Sequence, residues 1–268
     1  MPASTPKSNF SYTQDDFKRI AQLVLDHAKT AGATAADTEV SEGFGQNVSV
    51  RKGEIETVEY NKDKGVAVTV YVGNRKGHAS TSDLSDAALK ATVEKAATIA
   101  RYTADDEHAG LADAAWLSTE QPDLDLYHPW NLNVEEAAEI AKLAESAAFK
   151  VDRRIDNSEG ASVSTQASHF IYANSLGFCG GYAGSRQGIS AAVIASDNGN
   201  MQRDYWYTSA RHAEDMHSPE EIGRTAGERA VRRLNGQRLS TRNCPVVFEA
   251  PIASGLIGSF VGAVSGGS

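Results

Sequence analysis

Four valines, Val66, Val68, Val70 and Val72, alternate with Ala67, Thr69 and Tyr71. That period of two belongs to a strand, so this stretch must lie in a sheet with one buried face. Its surroundings extend the sheet. Gly73-Asn74 turns the chain into a further strand from Gly77 to Thr81. Upstream, Val48 and Val50 alternate with Asn47, Ser49 and Arg51, and Gly53 turns them into Ile55, Thr57 and Tyr60. The pattern predicts an antiparallel meander with polar turns. A helix stands on each side of it. The first starts at Thr13, with Asp16 placed as in a capping box, and carries Phe17, Ile20, Ala21, Val24, Leu25 and Ala28 at helical spacing before Gly32. The second runs from about Ser85 to Tyr102, with Leu89, Val93, Ala96, Ala97 and Ala100 on its inner stripe.

A polar connection from Thr103 to Asn133 follows, carrying Trp116, Pro122, Tyr127, Pro129 and Trp130. A loop this long is unusual unless it is functional or docked, and its aromatics predict docking. The pattern then restarts. Asn133 and Glu136 cap a third helix, a second strand block covers Gly160 to about His212, and Ser218-Pro219-Glu220-Glu221 opens a fourth helix that ends near Gly236. The predicted fold is therefore α+β: two helix–antiparallel-strands–helix lobes, at about 13–102 and 133–236, joined by 103–132 into one N-terminal domain over 13–240. Residues 1–12 are expected to be a disordered leader, because MPASTPKSNF lacks the apolar core of a signal peptide.

The last stretch, Cys244 to Ser268, reads as a short strand (Val246, Val247, Phe248), a break at Pro251 and then a helix over 251–266 without a single charge. Gly258, Gly262 and Gly266 share one face of it, with Leu256, Phe260 and Val264 on a second. A helix apolar on every side is buried or lies in a membrane. The uncharged run from Ala250 is about 19 residues, rich in Gly and Ser, where spanning needs about 20 strongly apolar ones. A buried or partner-facing helix is the better reading, with Gly258, Gly262 and Phe260 as packing or interface residues. Residues 241–268 are thus expected to open a second, β-rich domain that continues beyond the sequence.

Net charge is −9, from 35 acidic and 26 basic residues, and no Lys/Arg block stands out, which disfavours direct nucleic-acid binding. Two distant cysteines, Cys179 and Cys244, make no disulfide framework and suit a reducing cytosol. The closest histidine pair, His212 and His217, has the wrong spacing for one helix face and reads as a solvated loop rather than a metal site. No HExxH and no Gly-x-Ser-x-Gly occur. The glycines at 177, 180, 181 and 184 suit a bulged or sharply turned hairpin, since no Lys-Ser/Thr follows them. Tyr205, Trp206 and Tyr207 alternate across a strand, either as a peptide-binding wall or as one packed and one surface face.

These stretches resemble a known family. Arg51-Lys-Gly-Glu54-Ile-Glu56 with Gly65-Val-Ala-Val, Ser80-Thr-Ser-Asp83, Asn174-Ser-Leu-Gly-Phe178 with Gly181-Tyr, Met201-Gln-Arg-Asp-Tyr-Trp206, Ser218-Pro-Glu-Glu-Ile-Gly223 and Pro245-Val-Val-Phe through Gly267 are similar to the TldD/PmbA proteins, in particular the PmbA (TldE) branch. The resemblance implies a cytoplasmic heterodimeric peptidase that degrades unfolded peptides or trims leader peptides, as in microcin maturation. It also implies that zinc belongs to a TldD-like partner, on an HExxxH helix. That motif falls at about Ile257, Gly258 and Val261 or Gly262 here, and none of these offers a donor. The chain is thus expected to be non-catalytic and to hold no cofactor. Arg51, Glu54, Arg75, Tyr205 and Trp206 are its candidate peptide or partner contacts, with solvated edge charges as the plainer reading of the first three. The expected partners are the TldD-like subunit and peptides, and a homo-oligomer is open. "Modulator of DNA gyrase" is an old label for the family, and the −9 charge opposes direct DNA contact. Two rival readings remain. One is a non-enzymatic peptide-binding or scaffold protein that uses sheet edges. The other is a hydrolase with its site in a further C-terminal part.

Overall fold

The computed structural model describes residues 10–265, and these divide into two units between Leu234 and Asn235. In the first unit, α1 (Gln14–Thr30), β1 (Ala35–Arg51), β2 (Glu54–Val72), β3 (Arg75–Thr81) and α2 (Asp86–Tyr102) come before the connection. After it come α3 (Val134–Phe149), β4 (Ile155–Asn174), β5 (Cys179–Gly180), β6 (Ala183–Asp197), β7 (Asn200–Ala210) and α4 (Pro219–Arg232). The α+β class and the double helix–strands–helix order both hold. The strands, however, form one antiparallel sheet in the order β3-β2-β1-β4-β6-β7, with β5 attached to β4. β1 and β4 pair from Val50↔Ala161 to Asp37↔Asn174, so the two halves meet along the middle of a shared sheet.

The helices start where the caps place them. Thr13 with Asp16 and Asn133 with Glu136 form full capping boxes, and the Ser218 side chain accepts from the Glu221 amide. All four helices cover one face of the sheet. Val40 belongs to the core under α1 and α2, Val48 belongs to the core under α3 and α4, and both lie on the same side of β1, an even number of residues apart. Glycines let α2 settle closely on β3 and α4 on α3. A Cβ on Gly77 would overlap the Ala96 carbonyl of α2, and one on Gly223 would overlap the Ala144 carbonyl of α3.

Between the two cores the connection lies down on the sheet. The Ser185 amide donates to the Leu126 carbonyl at 2.9 Å, and the His128 amide donates to Ser185 Oγ at 2.8 Å. Trp130 packs against the second core, as docking requires, whereas Trp116 is 82% exposed.

Three expectations need correcting. β1 starts at Ala35 rather than near Asn47, because Thr38 and Glu42 fill inward positions that a hydrophobic pattern overlooks. The leader is anchored at its end, for the Ser11 and Tyr12 amides donate to the Glu42 carboxylate and Phe10 stacks on His169. Residues 1–9 lie outside the described part. Val246, Val247 and Phe248 are exposed and form no strand, since no neighbouring strand pairs with them among the described residues.

In the second unit, α5 (Ala250–Val264) is the predicted uncharged helix. None of its residues is buried among the described residues, and nothing lies within 4 Å of a Cβ placed on Gly258 or Gly262. Phe260 is exposed too. The glycine face thus has no packing partner among the described residues, and Gly266 lies outside them. No helix among the described residues is long and apolar enough to cross a membrane.

Glu145 of α3 shows how helices fix the sheet's turns. It is 2% exposed, and its carboxylate accepts from the Lys52 amide at 2.9 Å and the Gly53 amide at 2.8 Å. Both turn residues have a positive φ, 53° at Lys52 and 79° at Gly53; glycine adopts this readily but a lysine does not, so the carboxylate steadies a turn that is unfavourable at Lys52. Glu145→Ala should lower the unfolding free energy by about 2 kcal/mol in urea titration. The Lys52 and Gly53 amides should lose hydrogen-exchange protection at the same time.

Candidate functional site

The face of the sheet without helices is built from small and polar residues. Side chains directly opposite each other on neighbouring strands point to the same side. One row therefore runs Asn61–Gly45–Gln166–Arg186, and the next runs Asp63–Gly43–Ser168–Gly184. Another carries hydroxyl pairs, Ser49 with Thr57 at 2.6 Å and Ser162 with Ser190 at 2.9 Å. Over the two glycine rows lies a groove of about 540 Å³. Gly43 and Gly45 give it a floor of bare backbone, and Phe170 packs edge-on against Tyr182 at 4.8 Å in its wall. Arg186, Arg211 and Asp63 supply charge. Arg186 is steadied by a 2.9 Å bond to Ser209 Oγ, and Arg211 by a 3.1 Å bond to the Ser185 carbonyl.

Beyond the groove on the same face, burial pushes the Asp37 carboxyl up against the opposing pull of the Thr69 and Tyr71 hydroxyls. Burial, with the nearby Asp37 charge, also raises the Tyr71 and Tyr172 phenols. The residues lining the groove include no histidine and no cysteine. Such a surface can hold an extended polar chain through backbone and side-chain hydrogen bonds. Asp63 is the one carboxylate among its lining residues.

The sequence-predicted contacts do not gather here. Arg51 ends β1 at the β1–β2 hairpin, donating to the Ser158 carbonyl at 2.9 Å and reaching Glu56 at 3.4 Å. Glu54 is exposed at that hairpin. Arg75 opens β3, at the opposite end of the β2 strand, in a two-pronged pair with Asp105 at 3.0 and 3.1 Å. Tyr205 is exposed on the edge strand β7 and stacks with Tyr207, with centroids 6.3 Å apart. Trp206 points the other way, into the second core, with the Arg229 guanidinium 4.9 Å from its ring. Zinc does not fit α5, because Ile257, Gly258, Val261 and Gly262 offer it no donor atom.

The structure also gathers residues that sequence reasoning kept apart. Asp125 and His128 of the connection meet His212, which follows β7. Gly43 and Gly45 gave no signal as a groove floor, because a glycine in a polar stretch reads as a turn.

The first unit thus has one sheet face under helices and a polar groove on the other. Residues 36–100 match the PmbA/TldA metallopeptidase domain 1 and residues 127–234 match the PmbA/TldA metallopeptidase central domain, and the chain belongs to this family. It is 45% identical to the metalloprotease PmbA of Escherichia coli O157:H7 over 246 residues, which is 92% of this chain and 54% of that protein. It is 39% identical to a metalloprotease PmbA homolog of Haemophilus influenzae over 267 residues, 100% of this chain and 59% of the relative. The chain thus spans a little more than half the length of these curated relatives.

Among solved structures, a candidate modulator of DNA gyrase from Bacteroides thetaiotaomicron superposes with a TM-score of 0.77 at 26% identity, over 85% of this chain and 52% of that one. TldE from Thermococcus kodakarensis shares the fold, with a TM-score of 0.60 at 14% identity over 79% of this chain and 47% of that one.

Proposed function

We propose that this chain is the PmbA-like, peptide-handling part of a cytoplasmic TldD/PmbA-type metallopeptidase. In this reading it holds unfolded or leader peptides while a TldD-like subunit carrying HExxxH supplies the zinc and the cleavage. The observation that carries the reading is the 45% identity to a metalloprotease PmbA across 92% of the chain. Two features support it. The groove floored by Gly43 and Gly45 suits an extended backbone, and α5 lacks any donor where the family resemblance places the zinc motif. The uncovered α5 face, with Gly258, Gly262 and Phe260, is then available to the partner or to the rest of the full-length protein.

The test is co-purification. Full-length protein carrying this sequence should bring down a protein with HExxxH, and peptidase activity on an unfolded peptide should need both. Arg186→Ala should weaken peptide turnover by the pair while leaving the pairing intact. Full activity of this protein without any partner would overturn the reading.

A further inference from the structure

We propose that Asp125, His128 and His212 form a binding site for a divalent transition metal, with zinc the best-matched ion. Their ligand atoms all lie within 4.8 Å of one another. His128 Nε2 lies 3.1 Å from Asp125 Oδ1, a separation that two ligands of one ion can adopt. The two imidazoles stack face to face, with centroids 3.4 Å apart and 28° between their planes, and a nitrogen of each lies within 4.8 Å of the other and of the Asp125 carboxylate, within reach of one small cation. Two imidazoles and a carboxylate are the donors that zinc takes, and a fourth position stays open to water because Asp125 and His212 are exposed.

The site has a buried foundation. Gln187 of β6 is 1% exposed, and its amide nitrogen donates both to the His128 carbonyl and, at 3.0 Å, to the carbonyl of Arg211, next to His212. One interior side chain thus clamps both histidine-bearing segments. Ser185, two residues along the strand, does the same: its Oγ accepts from the His128 amide at 2.8 Å and its carbonyl accepts from Arg211 Nη1 at 3.1 Å. The segments that carry His128 and His212 are held by the sheet before any ion arrives. A bound ion would clip the connection to the segment that leaves β7, at the margin of the groove that Arg211 lines. Nothing in the order of the sequence brings His128 near His212. His217, the histidine nearest to His212 in the sequence, pairs with Glu221 at 3.1 Å instead.

The test uses the full chain, free of any affinity tag and stripped with chelator. Zinc chloride titrated by calorimetry should give one ion per chain with micromolar or tighter affinity, and cobalt chloride should give a visible absorption band. His128→Ala and His212→Ala should each weaken zinc binding by at least about tenfold, and His217→Ala should leave it unchanged. Zinc should raise the Tm of the wild type but not of the His128→Ala/His212→Ala double variant. His212 is exposed, so its variant keeps the fold, checked by circular dichroism. Wild-type binding only at millimolar zinc, or a His212→Ala chain with wild-type affinity, overturns the proposal.

Discussion

Gly223→Val should lower the unfolding free energy of this chain by about 3 kcal/mol, the upper end of what overpacking usually costs. The reason is where the side chain would go. A Cβ at Gly223 overlaps the Ala144 carbonyl and crowds the Ala148 amide, both of them α3 backbone. Backbone cannot rotate aside as a flexible side chain can, so α4 must lift off α3 or tilt. Either movement opens the core that Ala144, Ala148, Ala226 and Ala230 share. Urea denaturation would read the loss, and a Gly223→Val chain as stable as wild type would show that the helices are not in contact there. Gly262→Leu makes a useful contrast. It meets nothing among the described residues, so any loss it causes in the full-length protein reports a contact made elsewhere.

Glu42→Ala should be comparably damaging, at about 3 kcal/mol, because it strips the partner from the Ser11 and Tyr12 amides and from the buried His169 at once. Glu42 is 1% exposed, and its carboxylate takes the Ser11 and Tyr12 amides and lies 3.4 Å from His169. His169 is sandwiched between the rings of Phe10 and Phe17, at 4.0 and 4.4 Å. Burial alone would raise the Glu42 carboxyl, but the Ser11 and Tyr12 hydrogen bonds outweigh it and hold the group below its usual 4.5. Burial lowers the His169 imidazole below its usual 6.5, against the opposing pull of Glu42. Both shifts have the same sign in linkage. The unfolded chain binds more protons than the folded one, so stability rises with pH through both ranges. The wild type should therefore lose stability as pH falls below about 6.5, and lose more below about 4.5. His169→Phe should remove the first loss and keep the second. Thermal melts across pH would measure this, and a His169→Phe profile identical to wild type would refute the assignment.

The helices were legible because short-range chemistry specifies them. The Thr13, Asn133 and Ser218 caps and the apolar stripes each sit within a few residues. The strands were legible where valines alternate, and illegible where the buried side is Thr38, hydrogen-bonded to the Ala67 carbonyl at 2.8 Å, or Glu42, held by the amides of Ser11 and Tyr12. In both cases tertiary partners make a polar residue acceptable inside. Tyr205 and Trp206 were correctly seen to alternate, but only the placement of α3 and α4 decides that Trp206 is the inward one. The groove and the Asp125–His128–His212 cluster were out of reach for a different reason. They depend on which strands become neighbours, and no local pattern states that.

The pairing of β1 with β4 bears on the order in which the protein can be made. α1, β1, β2, β3 and α2 build most of their shared core from near neighbours, with Ile171 and Ala173 added from β4. The outer edge of β1 is different, because its partner, residues 155–174, follows a whole helix pair and the long connection. A ribosome therefore exposes the half-built sheet for the time needed to synthesise roughly a hundred further residues, several seconds at the usual pace of about 5–20 residues per second. During that interval the edge from Asp37 to Val50 is an open template for any extended chain nearby. The sheet's central seam is thus the join that stays open longest during synthesis and the place where a nascent chain most needs protection from its neighbours.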